Sequence, residues 1–266
     1  MEITSIDTRF RCADGTETIA YVSRPNDSAR HPAIIVIHEA WGLNEQIKGV
    51  ARMYAGEGFV VVAPHLFTRF PDLNEASIER VMRSMFSVPP EKRNDPQTIQ
   101  NVMKNMQGPD KKVAEVFFLG RDALEKTMSN DLLACKDFLQ SQSFVRGDRL
   151  GITGFCMGGG LTYQLSTMYP FSASVPFYGS NPKPVESVAY ISGPVLGIYA
   201  GEDARINTDV PALVEAMIRY KKAFEMKVYR GAQHAFFNET RQVYDKAAAE
   251  DARTRAVSFF KQHLMA

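Results

Sequence analysis

The sequence predicts an α/β fold with a mostly parallel central sheet flanked by helices. Three observations carry that prediction. Short apolar segments recur along the chain, each followed by a stretch of helical periodicity, the alternation that βαβ units require. Residues 33–37 (AIIVI) form a continuous apolar run dominated by β-branched side chains, the signature of a strand buried on both faces. The chain has 266 residues, 45% of them hydrophobic, enough for one large core, and no linker, repeat or low-complexity segment divides it. Residues 1–266 are read as a single domain.

The elements follow in order. Residues 18–25 (TIAYVSRP) read as an early edge strand, and 32–42 (PAIIVIHEAWG) as a buried strand that stops in a glycine loop. Leu43, Ile47, Val50, Ala51 and Tyr54 share one helical face until Gly56 and Gly58 end it, and residues 59–64 (FVVVAP) supply the next strand. From about 70 to 128 no strand-like run occurs. Ile78, Val81, Met82 and Met85, then Ile99, Val102, Met103 and Met106, fall at helical spacing, and Asp95-Pro96 reads as an N-cap with proline at N1. This stretch is a helical insertion. Met82, Met85, Met103, Met106 and Met128 lie in it, read first as core and second as an adaptable cover over a pocket. Ser129 or Asn130 then caps a helix whose buried face includes Leu132, Cys135, Phe138 and Leu139, with Cys135 a small hydrophobe. Four further strand units follow at 149–153 (RLGIT), 172–179 (SASVPFYG), 194–203 (PVLGIYAGED) and 224–234 (FEMKVYRGAQH), and an amphipathic helix runs from about Gln242 to His263.

Composition narrows the function. With 31 Lys+Arg against 30 Asp+Glu the net charge is +1, so no field favours nucleic acid or an anionic membrane, and neither is expected as a partner. The first residues (MEITSIDTRF) lack the layout of a signal peptide, and the longest apolar runs fall short of a membrane span; a cytoplasmic location is expected. Cys12, Cys135 and Cys156 are too scattered for a disulfide framework or a metal knuckle.

Chemistry is concentrated at residues 154–160 (GFCMGGG), directly after the RLGIT strand. A bend that tight, lined by glycine, presents its central side chain instead of packing it. Cys156 is therefore the candidate nucleophile. Just past the carboxyl ends of the next predicted strands come Glu202-Asp203 and then His234, in the order nucleophile, acid, histidine, at the sheet edge where open α/β folds collect their sites. In this reading His234 is the base, and Asp203, or its neighbour Glu202, orients the imidazole. The backbone amides of Met157, at a helix start, and Ala40, in the HEAWG loop, are the candidate oxyanion donors. HEAWG is not a zinc motif, because Gly42 stands where the second histidine would be; no metal is expected. His38 and His65, at strand ends, read as hydrogen-bonded structural residues. Trp41 is a candidate pocket residue, as are Tyr178 and Phe236.

In these segments the chain resembles the dienelactone hydrolase family of the α/β-hydrolase fold. HEAWGL, GFVVVAPHLF, GITGFCMGGG, VPFYG, AGEDARI and GAQHAFFN occur in the family's order and cover most of the chain outside 70–128. The resemblance implies cofactor-free hydrolysis of small lactones or carboxylic esters through a thioester, favours Asp203 over Glu202, and gives Glu39 a part in forming the thiolate. It also implies arginines for a substrate carboxylate. One expected position, four residues after His234, is Asn238 here, which leaves Arg69 and Arg121 as candidates, and His65 stands where many relatives have Asp. A neutral ester or lactone is therefore expected to be turned over at least as well as an anionic dienelactone of similar size. The competing function is a thiol sensor or binding protein that uses Cys156 on the same fold. Oligomeric state is not legible.

Overall fold

The computed structural model describes residues 1–89, 92 and 95–266; residues 90, 91, 93 and 94 of the predicted insertion lie outside the described residues. Strands β1 (Ile3–Arg11), β2 (Glu17–Pro25), β3 (His31–Ile37), β4 (Val60–Pro64), β5 (Val145–Phe155), β6 (Ala173–Phe177), β7 (Val195–Ala200) and β8 (Phe224–Tyr229) form one sheet in the order β1-β2-β4-β3-β5-β6-β7-β8. β1 and β2, and β2 and β4, run antiparallel; every later pairing is parallel. This is the α/β-hydrolase fold.

The β-branched run explains the centre of the sheet. Ile35 of β3 sits opposite Val62 of β4 and Ile152 of β5. Because successive side chains point to opposite faces, Ile34 and Val36 join the core under α1 (Glu45–Gly56) and α9 (Lys246–Leu264), while Ile35 and Ile37 join the core on the other side, under α5 (Arg121–Gln140) and α6 (Met157–Met168). A strand buried on both faces has no polar face to show, and this one shows none. Asn44 starts α1 by accepting a hydrogen bond from the Ile47 amide at 3.3 Å. Toward the β7–β8 edge, α7 (Ala204–Asn207) is a single turn and α8 (Val210–Arg219) packs Leu213 and Met217 against Val195 and Tyr199.

Three expectations change. Residues 18–25 form part of β2, which is second in the sheet. The edge strand is β1, which carries little buried apolar surface and so leaves little trace in the sequence. The helix expected to begin at Ser129 or Asn130 begins at Arg121, after Gly120. Good helix formers (Ala123, Leu124, Glu125, Lys126) carry it through that point, with Met128 and Ser129 buried, so neither polar residue acts as a cap. The insertion therefore merges with this helix instead of ending at 128. Before it come α2 (Glu75–Phe86), α3 (Pro96–Met103), capped by Asp95 on the Thr98 amide, α4 (Gly108–Ala114) and a π-helical turn (Glu115–Leu119). Met103 and Met128 are buried in the core beneath, Met82 and Met106 pack against it, and Met85 is buried as well. The methionine stripe is core. Among the described residues no helix is long and apolar enough to cross a membrane.

Arg69, just past β4, fastens this side of the molecule. Its guanidinium bonds to Asp14 in the β1–β2 turn and to Asp131 of α5, whose side chain is 1% exposed. Arg121 instead makes an exposed i,i+4 pair with Glu125 at 2.7 Å. Replacing Arg69 by Leu leaves the Asp131 carboxylate buried without its cation and is expected to lower the unfolding free energy by about 3 kcal/mol or more. Arg121→Leu is expected to stay within about 0.5 kcal/mol. Urea denaturation of both variants checks the contrast, and equal small losses would show that Arg69 is a dispensable cation.

Candidate active site

The chain reverses between β5 and α6 at one residue, Cys156, whose φ of 56° and ψ of −113° are disfavoured for any side chain with a Cβ. Such a backbone costs about 1–3 kcal/mol and persists only where the surroundings over-determine it. Here the Cys156 amide donates to the Phe177 carbonyl at 3.1 Å, and the Cys156 carbonyl accepts from the Gly160 amide at 3.1 Å. The glycines on either side allow the turn to close. A Cβ on Gly154 would lie 2.2 Å from the Gly158 carbonyl oxygen, and one on Gly158 would lie 2.5 Å from the Ile37 carbonyl oxygen. That approach sets the first turn of α6 against the end of β3, beside the loop 38–42. The Met157 amide, at the helix start, and the Ala40 amide, in the loop, donate no hydrogen bond among the described residues. Two unspent donors therefore lie at the start of α6 and in the neighbouring loop.

The loop is held by His38. Buried and desolvated, its imidazole is pushed down to about 3 and stays neutral. Its Nδ1–H donates to the Glu39 carbonyl at 2.6 Å and its Nε2 accepts from the Leu66 amide at 3.1 Å, which fixes the tautomer. His65 packs edge-on against His38, but its buried Nδ1 has no partner, so the expected hydrogen-bonded role fits His38 only.

Past β7, Asp203 caps α7, its Oδ1 accepting from the Ile206 amide at 3.4 Å, and its Oδ2 accepts a short hydrogen bond from Nδ1 of His234. Glu202 turns away and accepts from the Gly231 amide at 3.2 Å. Burial would raise the Asp203 carboxyl, but His234, by hydrogen bond and charge, and Arg205 hold it below the usual range. The opposite nitrogen of His234, Nε2, is buried and finds no partner of ordinary hydrogen-bond geometry among the described residues. Its strongest favourable neighbour is Cys156. Burial opposes the imidazolium, yet the thiolate and the Asp203 carboxylate outweigh it and raise the His234 pKa. Conversely, burial raises the thiol and the nearby Glu39 charge raises it further, but His234, assisted by Arg205, brings the net shift of Cys156 below the ordinary value. Cys156 and His234 thus each favour the charged form of the other, by charge and by side-chain hydrogen bonding.

Glu39 is 3% exposed and carries no salt bridge among the described residues. Its Oε2 accepts from Nδ2 of Asn238 at 2.5 Å, and its Oε1 accepts from the Tyr178 hydroxyl at 3.3 Å. The Asn238 amide is oriented by its other end, where Oδ1 accepts from the Thr240 amide at 3.0 Å and the Thr240 hydroxyl at 2.7 Å. Desolvation dominates and raises the Glu39 carboxyl, against the two hydrogen bonds and the charges of His234 and Arg241. The gap behind it, between Ile47, Val50, Phe155 and Phe237, is too narrow for a water molecule. No hydrogen bond joins Glu39 to Cys156.

The other expected residues separate. Tyr178, at φ 38°, stacks edge-on to His234 with ring centroids 5.0 Å apart, so it braces the site from within the core. Phe236, wholly buried, packs behind Tyr178 and Tyr229, a layer removed from the thiol. Trp41 is partly exposed, and the Arg241 guanidinium lies over its ring at 4.0 Å. Arg241 also approaches Glu75 and Glu79 of α2 at 3.7 and 3.8 Å, tying the histidine loop to the insertion. Arg69 and Arg121 are committed to their own carboxylates; the arginines whose charges act on Cys156 and Glu39 are Arg205 and Arg241. Among the described residues no group of three His, Cys, Asp or Glu side chains is arranged to hold a metal ion.

Comparison with known proteins identifies the family. Residues 19–264 match the model of the dienelactone hydrolase family. The chain is 44% identical over 254 residues to the protein of Saccharolobus solfataricus named "Putative carboxymethylenebutenolidase", covering 95% of this chain and 97% of that one. It is 31% identical over 259 residues to "Protein usf" of Aquifex pyrophilus, covering 94% and 96%. A crystal structure from Klebsiella pneumoniae described as a "Putative Dienelactone Hydrolase" superposes with a TM-score of 0.78 at 25% identity, over 98% of this chain and all of that one. The chain belongs to the dienelactone hydrolase family.

Proposed function

We propose that this hydrolase cleaves small, neutral carboxylic esters or lactones through a covalent thioester on Cys156. The observation that carries the reading is a thiol lowered by His234 at the start of α6, beside a loop end that α6 closely approaches, with the backbone amides of Met157 and Ala40 making no hydrogen bond among the described residues. The Cys156 thiolate adds to the substrate carbonyl, forming the C–S bond, and the developing oxyanion takes hydrogen bonds from the two amides. Collapse of the adduct breaks the C–O bond, and the imidazolium of His234 gives its proton to the departing alkoxide. For a lactone that alcohol stays tethered to the acyl group. Neutral His234 then takes a proton from water, the hydroxide adds to the thioester, and the carboxylic acid leaves as the thiolate–imidazolium pair is restored. Asp203 keeps Nδ1 protonated, so that Nε2 is the nitrogen that exchanges protons.

Glu39 acts here as a nearby carboxyl group that opposes the thiolate when ionised and relieves it when protonated. Its partners bear on substrate choice. Asn238 directs its NH2 to Glu39 and its oxygen to Thr240, so the position carries no charge for a substrate carboxylate. This supports a neutral acyl group in the site.

Two predictions follow from these roles. Replacing Cys156 by Ala is expected to lower turnover of a nitrophenyl ester by on the order of a thousandfold or more with an unchanged melting curve, and iodoacetamide is expected to do the same to the unaltered chain. Near-normal turnover in the variant contradicts the nucleophile, and reversible peroxide-dependent modification of Cys156 without ester turnover favours a thiol sensor instead. Among lactones of similar size, a neutral one is expected to be turned over at least as well as one bearing a carboxylate. A strong preference for the anion, lost in Arg241→Gln with kcat on neutral esters retained, would show that Arg241 supplies the contact that Asn238 does not.

A further inference from the structure

β8 is the last strand of the sheet and has a neighbour, β7, on one side only. The carbonyls of Ala223 and Tyr229 accept from Val195 and Gly201 on that side. By the two-residue alternation of a strand, the N–H and C=O groups of Phe224, Met226 and Val228 therefore point outward. Among the described residues nothing bonds to them. Their side chains share one face of the sheet. Phe224 packs against the Leu213 and Met217 cluster of α8, while Met226 and Val228, farther along, are 39% and 46% exposed. Glu225 and Lys227 project from the other face, and neither forms a salt bridge within the chain among the described residues. Lys227 rests 5.3 Å from the centroid of the Tyr229 ring. An open strand edge with exposed apolar side chains and spare charges is a pairing surface unless something covers it.

We propose that this edge docks a second copy of the same chain, β8 against β8 and antiparallel, about a two-fold axis at Met226. The pattern is self-complementary in that register. A two-fold at Met226 makes the outward-facing residues the hydrogen-bonded pairs: Met226 with the partner's Met226, and Phe224 with the partner's Val228. On one face the apolar side chains then meet apolar ones. On the other, Glu225 stands opposite the partner's Lys227, and Lys227 opposite the partner's Glu225, in the close pairs where opposite charges stabilise and like charges destabilise. A two-fold at Phe224 or Val228 sets Glu225 against Ala223 or Gly231 and loses these pairs. An isologous contact of this kind closes on itself as a dimer. The two sheets become one, and the carboxyl ends of both sets of strands stay open to solvent on opposite sides of the axis.

Sedimentation equilibrium of the purified chain over the micromolar range tests the proposal. The unaltered protein is expected to sediment at twice the chain mass. Glu225→Lys or Lys227→Glu alone sets two like-charge pairs across the axis and is expected to raise the dimer dissociation constant by about tenfold or more, while the double reversal Glu225→Lys/Lys227→Glu restores opposite pairs and is expected to recover dimerisation. Met226→Pro removes an N–H that faces only the edge, so β7 pairing survives and the dimer is lost. Melting curves and ester turnover confirm that each variant is folded. A monomer at every concentration, a dimer indifferent to the single reversals and to Met226→Pro, or a folded double reversal that stays monomeric overturns the proposal.

Discussion

Placing a thiol, an imidazole and two carboxyl groups together beneath the end of a sheet is costly unless their protons and charges are apportioned, and that constraint organises the site. The two buried carboxyl groups, Glu39 and Asp203, need neighbours to balance any charge they carry. His234 stands at the centre of the balance. It accepts the field of Asp203 on one side and of Cys156 on the other, and without it both would be driven toward their neutral forms by burial. Glu39 is balanced differently. Its partners are two neutral donors, Asn238 and Tyr178, and desolvation prevails, so its carboxyl is pushed toward holding a proton. A protonated Glu39 removes a nearby charge that works against the thiolate. The proposed chemistry depends on that division: a carboxylate that keeps its charge behind the histidine, and a carboxyl that tends to give up its own beside the thiol.

The scaffold maintains this arrangement through backbone constraints. The elbow at Cys156 is held in an unfavourable conformation by its bonds to Phe177 and Gly160, and by glycines that let α6 approach β3 more closely than any Cβ would permit. The same approach brings the Met157 amide next to the loop that His38 secures. Stability elsewhere allows for such strain, since the central strands are buried on both faces and the long α5 is pinned to the β1–β2 turn by Arg69 and Asp131. The geometry of the proposed site is thus a property of strand ends and helix starts.

Much of this was legible in the sequence because it is local. Continuous β-branched runs mark strands buried on two faces, and a cysteine between glycines after such a strand marks a turn that presents it. The order of Cys156, Asp203 and His234 is likewise readable, because each stands at the end of its own strand. What escaped depends on contacts between distant segments. Asn238 reads as the absence of a cation, while its contribution lies in a partner 199 positions away. The Asn-x-Thr spacing at 238–240 signals a locally fixed amide but not where that amide points. Tyr178 reads as a pocket aromatic because nothing local shows that its hydroxyl meets Glu39. Arg69 and Arg121 read as candidate carboxylate contacts because Asn238 stands where an arginine is expected, whereas the arginine stacked on Trp41 is Arg241, drawn in from the histidine loop. β1 and the start of α5 were missed for the opposite reason: their local patterns are weak or continuous, and tertiary pairing decides them.

The account rests on Cys156 being ionised by His234 in the resting protein, against both burial and Glu39. The most direct test is the pH dependence of the iodoacetamide alkylation rate at Cys156 in the unaltered chain and in His234→Ala, with the modified peptide identified by mass spectrometry. Because the lowering influences on the thiol come chiefly from His234, the unaltered chain is predicted to react with a midpoint below the ordinary thiol value of about 8.5, and the variant with a midpoint shifted well above it, where burial and Glu39 act unopposed. A midpoint in the unaltered chain at or above the ordinary value, or one that His234→Ala leaves in place, would contradict the account.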